Sequence, residues 1–84
     1  MKLIKLEKHR CNFCNQLTAL LDGEGIPYES HNIDDKPEVA AKYGVMSAPI
    51  LILEDDNGNE ITRVNGFYRD QVAQTIQRFQ EGEA

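Results

Sequence analysis

The chain has 84 residues, 40% of them hydrophobic and 27% charged, which indicates one globular domain over residues 1–84 rather than a disordered segment. Its 14 acidic and 9 basic residues give a net charge of −5, which argues against nucleic acid as a partner because phosphate binding relies on clustered lysine and arginine. No apolar run approaches the roughly 18–20 residues that cross a bilayer, so we expect a cytoplasmic protein that does not contact membranes. We take a monomer as the default oligomeric state.

The first two predicted elements are a strand and a helix. Residues 3–7 predict a strand, and the apolar pair at its start suggests burial on both faces. Apolar residues at helical spacing predict a helix over residues 13–22, which Gly23 or Gly25 ends. Two cysteines, Cys11 and Cys14, lie at the junction between this strand and this helix.

A second strand and a short helix come next. Residues 26–33 predict the strand. Pro37 suits the first turn of a helix, with Asp34 or Asp35 as its cap, and Gly44 ends that helix.

The second half of the chain predicts a hairpin followed by a helix. Residues 49–53 carry the strongest strand signal, residues 55–58 supply turn chemistry that includes Asn-Gly, and residues 60–64 return as a fourth strand. An amphipathic helix runs from Asp70 until Gly82 ends it, which leaves a frayed tail. The order β-α-β-α-β-β-α predicts an α/β fold with a four-stranded mixed sheet and three helices.

The two cysteines predict redox chemistry. Residues three positions apart in the first helical turn lie on one face, with Cα atoms about 5–6 Å apart, and this distance suits a disulfide. A disulfide that closes so small a loop restricts the unfolded chain very little. These cysteines therefore indicate a chemical role rather than a structural one.

The two sulfurs are predicted to differ in role. Cys11 lies at the helix start, where free N–H groups and the helix dipole favour a thiolate, and Lys8, His9 and Arg10 add positive charge nearby. Cys11 is therefore the predicted nucleophile. Cys14 lies one turn deeper, should be more buried, and would resolve the mixed disulfide by attacking Cys11.

Two other interpretations of the cysteines stay open. Both could be small core residues. Alternatively, they could bind a metal ion or an iron–sulfur cluster together with His9 and His31, although structural zinc sites usually use two separated ligand pairs. A lone histidine is more often a surface residue, so we predict no metal ligands.

The Ala48-Pro49 step is the second informative feature, because proline at the start of a strong strand removes a hydrogen-bond donor. A cis bond in a tight turn and an ordinary trans proline are both compatible with the sequence. A cis turn would leave the backbone of Ala48 free to pair with an extended substrate segment.

Taken together, these features resemble the thioredoxin-fold redoxins. The resemblance covers nearly the whole chain and lies in Cys11-Asn12-Phe13-Cys14, in Val45-Met46-Ser47-Ala48-Pro49, and in a glycine before the last helix. The length matches the short, glutaredoxin-like branch. Within it, residues 65–70 are similar to the Ser-Gly-Phe-Arg-Pro-Asp segment of NrdH-type redoxins, with matches at Gly66, Phe67 and Asp70, the arginine displaced by one place and the proline absent.

The resemblance implies a protein-disulfide reductase with no tightly bound cofactor. Cys11 and Cys14 are the implied catalytic pair. The implied client is a disulfide-containing protein such as ribonucleotide reductase, and the implied electron source is NADPH through thioredoxin reductase or, as in a glutaredoxin, glutathione. Residues on one face are expected to contact the partner or substrate: Arg10, Asn12, Phe13, Ala48, Pro49 (as a cis-proline), Gly66, Phe67 and Asp70.

Overall fold

Four strands form one mixed sheet between helices in a computed structural model that describes residues 1–83. The strands are β1 Lys2–Glu7, β2 Glu29–Asn32, β3 Ile50–Glu54 and β4 Glu60–Asn65, and the helices are α1 Asn12–Gly23, α2 Pro37–Tyr43 and α3 Arg69–Glu83. The strand order is β2-β1-β3-β4, with β1 parallel to β2 and both other pairs antiparallel. The predicted order of elements and the mixed sheet are confirmed.

The core has two layers because the buried strands are apolar on both faces. Leu3 of β1 belongs to the cluster under α1 and α3, whereas its neighbour Ile4 belongs to the cluster on the α2 side. All five residues of β3 are buried. Continuous burial explains why β3 opens with a run of isoleucine and leucine rather than an alternating sequence. None of the described helices is both long and apolar enough to span a membrane.

Two boundaries differ from the prediction for reasons of hydrogen bonding. The second strand is shorter than predicted, because the Ile26 N–H donates to the Leu21 carbonyl at the end of α1 and Pro27 has no N–H to offer. The prediction that Asp34 or Asp35 caps α2 is wrong. The N-cap is Lys36, which makes no side-chain cap bond.

The end of the last helix also differs, because Gly82 lies inside α3 instead of ending it. A Cβ atom at this position would lie 2.5 Å from the Met1 sulfur, so the glycine permits the N-terminus to approach the helix. Residues 81–83 are therefore helical rather than frayed, and Ala84 lies outside the described residues.

Strand register brings three distant segments to one end of the sheet. Leu6 pairs with Ile50, and Ile50 pairs with Asn65. The loop after β1, the Ala48-Pro49 step before β3 and Gly66 after β4 therefore leave the sheet side by side.

The loop before Cys11 is tied to the loop before α2. Lys8 Nζ lies 2.9 Å from an Asp34 carboxylate oxygen, and the His9 N–H donates to the other oxygen at 3.0 Å. His9 Nε2 lies 2.8 Å from Asp35 Oδ1. These contacts occupy both carboxylates and explain why neither caps α2.

We expect Leu17→Ala to lower the free energy of unfolding by about 2–5 kcal/mol, because truncating a buried leucine loses burial and leaves a cavity. Leu17 is 0% exposed within the cluster under α1 and α3. Leu20 of the same helix is only partly buried, so Leu20→Ala is the matched control. Urea denaturation measures both, and equal losses would contradict the packing described here.

A second prediction concerns pH. The hydrogen bond to Asp35 raises the pKa of His9 above its ordinary value of 6.5. The folded state therefore holds the proton more tightly than the unfolded state, and the resulting stabilisation is complete below the ordinary pKa and disappears as pH rises through the raised pKa. The stability difference between the wild type and His9→Gln should thus be largest in mild acid and smallest in mild alkali.

Denaturant midpoints across this pH range measure that difference. Asp35→Asn should abolish it, because the partner that raises the His9 pKa is then uncharged. A difference that stays constant with pH would contradict the role given to this pair.

Candidate active site

Cys11 is the N-cap residue of α1, so its sulfur lies at the mouth of the helix. Its backbone is extended, with φ −118° and ψ 100°, and its Sγ accepts a hydrogen bond from the Cys14 N–H at 3.1 Å. The first N–H groups of a helix have no intrahelical partner, and the helix dipole is positive there. A negative charge on the Cys11 sulfur would be stabilised by both effects.

Cys11 and Cys14 form a disulfide, and their Cα atoms are 5.2 Å apart, as the helical spacing predicted. The two residues differ in accessibility. Cys14 is 2% exposed, whereas Cys11 is only partly buried. A sulfur of another protein can therefore reach Cys11 more readily than Cys14.

Of the three basic residues before Cys11, Arg10 alone keeps its charge unpaired among the described residues, because Lys8 and His9 bind Asp34 and Asp35. Arg10 is exposed and has φ 55°, a left-handed conformation that is uncommon for a residue with a side chain. This turn connects β1 to the start of α1. The expected positive field beside Cys11 therefore comes from Arg10 rather than from all three residues. Asn12, the first residue of α1, is exposed next to it.

The Ala48–Pro49 peptide bond is cis, which decides between the two alternatives left open by the sequence. Pro49 is buried and Ala48 is partly buried. The Gly66 N–H donates to the Pro49 carbonyl at 2.9 Å, which continues the pairing of β3 with β4. Gly66 has φ 115°, and a Cβ atom there would lie 2.9 Å from the Tyr68 ring, so only glycine suits this position.

A shallow groove of about 560 Å³ lies between the start of α1 and the start of α3. It brings together three residues that the sequence predicted for partner contact, namely Phe13, Phe67 and Asp70. It also contains Tyr68 and Arg69, together with two residues that the sequence analysis did not consider for the site, Gln16 and Gln71. The Arg69 guanidinium carbon lies 5.3 Å from the centre of the Phe67 ring, so this cation is stacked on an aromatic face.

Apolar side chains are exposed near Cys11. The exposed fractions of Phe13, Met46 and Tyr68 are 59%, 92% and 56%, and among the described residues these are the large hydrophobic residues that remain in solvent. Phe13 lies between the cysteines, Met46 in the segment before Pro49, and Tyr68 two residues after Gly66. Met46 was not predicted as a site residue, although an apolar residue in a loop next to a reactive motif is a usable signal. Phe13 and Tyr68 line the same groove, and adjoining exposed apolar groups are typical of interaction surfaces.

The possible metal ligands do not come together. His9 binds Asp35, while His31 in β2 contacts Glu29 through Nε2 at 2.8 Å and Lys36 through Nδ1 at 3.3 Å. Within residues 1–83 no group of three or more histidine, cysteine or acidic side chains is arranged to hold a metal ion.

Comparisons with known proteins agree with this geometry. The glutaredoxin family model matches residues 3–56. The chain is 38% identical over 76 residues to the SPbeta prophage-derived thioredoxin-like protein YosR of Bacillus subtilis, covering 90% of this chain and 95% of that one. It is 31% identical to a Staphylococcus aureus thioredoxin over 75 residues, which are 81% of this chain and 71% of the relative.

The fold is also shared with solved thioredoxin structures. Thioredoxin 1 of Thermosipho africanus superposes with a TM-score of 0.74 at 24% identity, covering 99% of this chain and 98% of that one. A thioredoxin of Plasmodium falciparum gives a TM-score of 0.79 at 14% identity over 93% of this chain and 84% of its own. The family-model match and the 38% identical relative show that the chain belongs to the glutaredoxin family, and with the cysteine pair at the start of α1 it is a thiol–disulfide oxidoreductase with the thioredoxin fold.

Proposed function

We propose that this redoxin reduces disulfides of client proteins, with ribonucleotide reductase as a client, and that thioredoxin reductase supplies its electrons from NADPH. The observation that carries the proposal is that Phe13, Met46 and Tyr68 are exposed on segments that meet at the end of the sheet where the partly exposed Cys11 lies. An apolar surface of this kind suits another protein better than a small charged peptide. The protein acts in the cytoplasm as a monomer and needs no tightly bound cofactor.

The reaction begins with the reduced pair. The Cys11 thiolate attacks one sulfur of the client disulfide, which forms a mixed disulfide and releases the other client sulfur as a thiolate. The Cys14 thiolate then attacks Cys11 Sγ, which releases the second client thiolate and forms the Cys11–Cys14 bond. The client gains two electrons and the redoxin loses two. Thioredoxin reductase returns them and restores the dithiol.

The surrounding residues position the client. No residue among 1–83 hydrogen-bonds to the backbone of Ala48, so this backbone is available to pair with an extended client segment. Pro49 and Gly66, joined by their backbone hydrogen bond, shape the rim next to it. Phe13, Phe67 and Asp70 line one groove, which supports their role as partner contacts, and Arg10 and Asn12 beside Cys11 are proposed to add to them.

Glutathione is the second candidate electron source, and the match to the glutaredoxin family model favours it. Glutathione carries two carboxylates that need basic groups or backbone N–H groups. Lys8 is bound to Asp34 and Arg69 is stacked on Phe67, which leaves Arg10 as the exposed cation next to Cys11 without an ion pair among the described residues. This distribution of charge supports thioredoxin reductase as the donor.

A reductase-preference assay tests the proposal. Oxidised redoxin is given NADPH with thioredoxin reductase in one reaction, and NADPH with glutathione and glutathione reductase in another, with insulin as the disulfide substrate in both. We expect NADPH consumption in the first reaction that depends on the redoxin, and little in the second. Turnover in the glutathione reaction alone would make the protein a glutathione-dependent glutaredoxin.

Single-cysteine variants test the two roles. Cys11→Ser should reduce insulin no faster than a reaction without redoxin, because the accessible sulfur is lost. Cys14→Ser keeps the nucleophile, so it should accumulate a mixed disulfide with the client that mass spectrometry locates at Cys11. A mixed disulfide trapped at Cys14 in the Cys11→Ser protein, with insulin reduction retained, would reverse the assignment.

A further inference from the structure

Lys5 in β1 is a buried cation, with only 3% of its side chain exposed. Its Nζ donates a hydrogen bond to Thr18 Oγ1 of α1 and lies 2.8 Å from Glu7 Oε1. The ammonium also lies 4.9 Å from the centre of the Tyr28 ring. Lysine is almost never fully buried unless it is paired, and an apolar residue of similar size is often at least as stabilising. A buried lysine at position 5 therefore indicates a role other than stabilising the fold.

The ammonium lies close to the resolving cysteine. Strand alternation places Lys5 on the same face of the sheet as Leu3, which is the face covered by α1. Its partner Thr18 follows Cys14 by four residues, so the two side chains are neighbours on the surface of α1, with Cβ atoms about 5–6 Å apart. The Lys5 charge is therefore about one helical turn from the buried Cys14 sulfur.

The counter-charge is partly in contact with water. Glu7 is bound to Ser30 of β2 at 2.8 Å, and 32% of its side chain is exposed. The hydrogen bond from Lys5 lowers the Glu7 pKa, so this carboxylate is ionised. Solvent screens it more than it screens Lys5. The ammonium of this pair is therefore held against α1 through Thr18, whereas the carboxylate is held against β2 through Ser30.

Other groups facing this region do not cancel the Lys5 charge. Asp22 lies eight residues beyond Cys14, about 12 Å along the helix. Tyr28 donates to Asp22, which raises the tyrosine pKa and keeps the ring uncharged at neutral pH. The side chains that α3 and β3 bury in the same cluster are apolar: Leu51, Leu53, Val72, Ile76 and Phe79.

We propose that Lys5 is a positioning residue for the redox step, whose buried ammonium stabilises the Cys14 thiolate and thereby sets the reduction potential of the Cys11–Cys14 pair. The inference rests on the thiol–disulfide chemistry and is independent of which client or electron donor is used. It gives the resolving sulfur its own source of stabilisation, separate from the helix start that serves Cys11.

The electron balance shows where the charge acts. A dithiol reductant breaks the Cys11–Cys14 bond and transfers two electrons, and the reductant becomes a disulfide. Each cysteine sulfur then carries a negative charge unless it takes up a proton. Because Cys14 is buried in an apolar surrounding, desolvation strongly disfavours a negative charge on its sulfur. Lys5 lowers this cost without accepting or giving a proton, so the reduced form is favoured and Cys14 is ready to attack the mixed disulfide.

The reduction potentials of Lys5→Met and Lys5→Gln test the proposal, measured by equilibration in dithiothreitol redox buffers. Both variants remove the charge, and Lys5→Gln retains a polar group that can bind Thr18. A unit charge about one helical turn from the Cys14 sulfur acts on its thiolate more strongly inside a protein than it would in water. We expect the equilibrium constant to shift about tenfold towards the disulfide, which is about 30 mV more negative for a two-electron couple.

Lys2→Met is the matched control, because Lys2 lies on the same strand with 55% of its side chain exposed and pairs with Glu29. Its potential should equal that of the wild type. A plot of reduction potential against pH changes slope where a thiol ionises. In both Lys5 variants this inflection should move to higher pH, because the Cys14 thiol then ionises at higher pH. Mere loosening of the structure would not shift that inflection in this direction.

Two outcomes would overturn the proposal. Potentials within twofold in equilibrium constant of the wild type for both Lys5 variants would show that the charge has no effect. A shift in Lys5→Met that is absent in Lys5→Gln would assign the effect to the hydrogen bond with Thr18 rather than to the ammonium. Circular dichroism confirms that each variant is folded. If one Lys5 variant does not fold, the reduction potential of the other is sufficient for the comparison with the wild type. Because neither measurement involves a client or a reductase, failure here leaves the proposed function untouched.

Discussion

The chemistry of this protein depends on one local interaction, the hydrogen bond from the Cys14 N–H to the Cys11 sulfur at the start of α1. Cys11 takes the place that serine, threonine or aspartate usually takes as an N-cap. The sulfur thereby meets N–H groups that would otherwise lack partners. The same geometry brings Cys14 within disulfide distance from inside the helix. Reactivity and reversibility thus follow from a single helix start.

The sheet determines what surrounds that helix start. Pairing of Leu6 with Ile50, and of Ile50 with Asn65, carries the Cys11 loop, the cis-proline segment and Gly66 to one end of the sheet. A shift by one residue would turn every side chain of a strand to the opposite face and disrupt the packing of both core clusters. A rigid, fully buried β3 is therefore part of the active site, although none of its side chains takes part in the reaction.

Charge is distributed unevenly around the two sulfurs. On the surface, Asp34 and Asp35 neutralise Lys8 and His9, so the loop before Cys11 is anchored and Arg10 remains as its unpaired cation among the described residues. In the interior, the Lys5 ammonium contacts α1 through Thr18, whereas its partner Glu7 is partly exposed to water. A protein with net charge −5 thus keeps positive groups close to both cysteines.

The sequence by itself determined the order of elements, the two core layers and the redox pair, because these depend on hydrophobic periodicity and on residues three positions apart. It also marked Ala48-Pro49, Gly66 and Phe67, whose types are tied to local backbone demands or to the family resemblance. Only the tertiary structure decided the isomer of the proline bond, the neutralisation of Lys8 and His9, and the exposure of Met46. Each of these depends on contacts between segments that are distant in the chain, and local propensity contains no information about them. Lys5 is the clearest case, since a lysine in a strand indicates an exposed residue until the packing of α1 buries it.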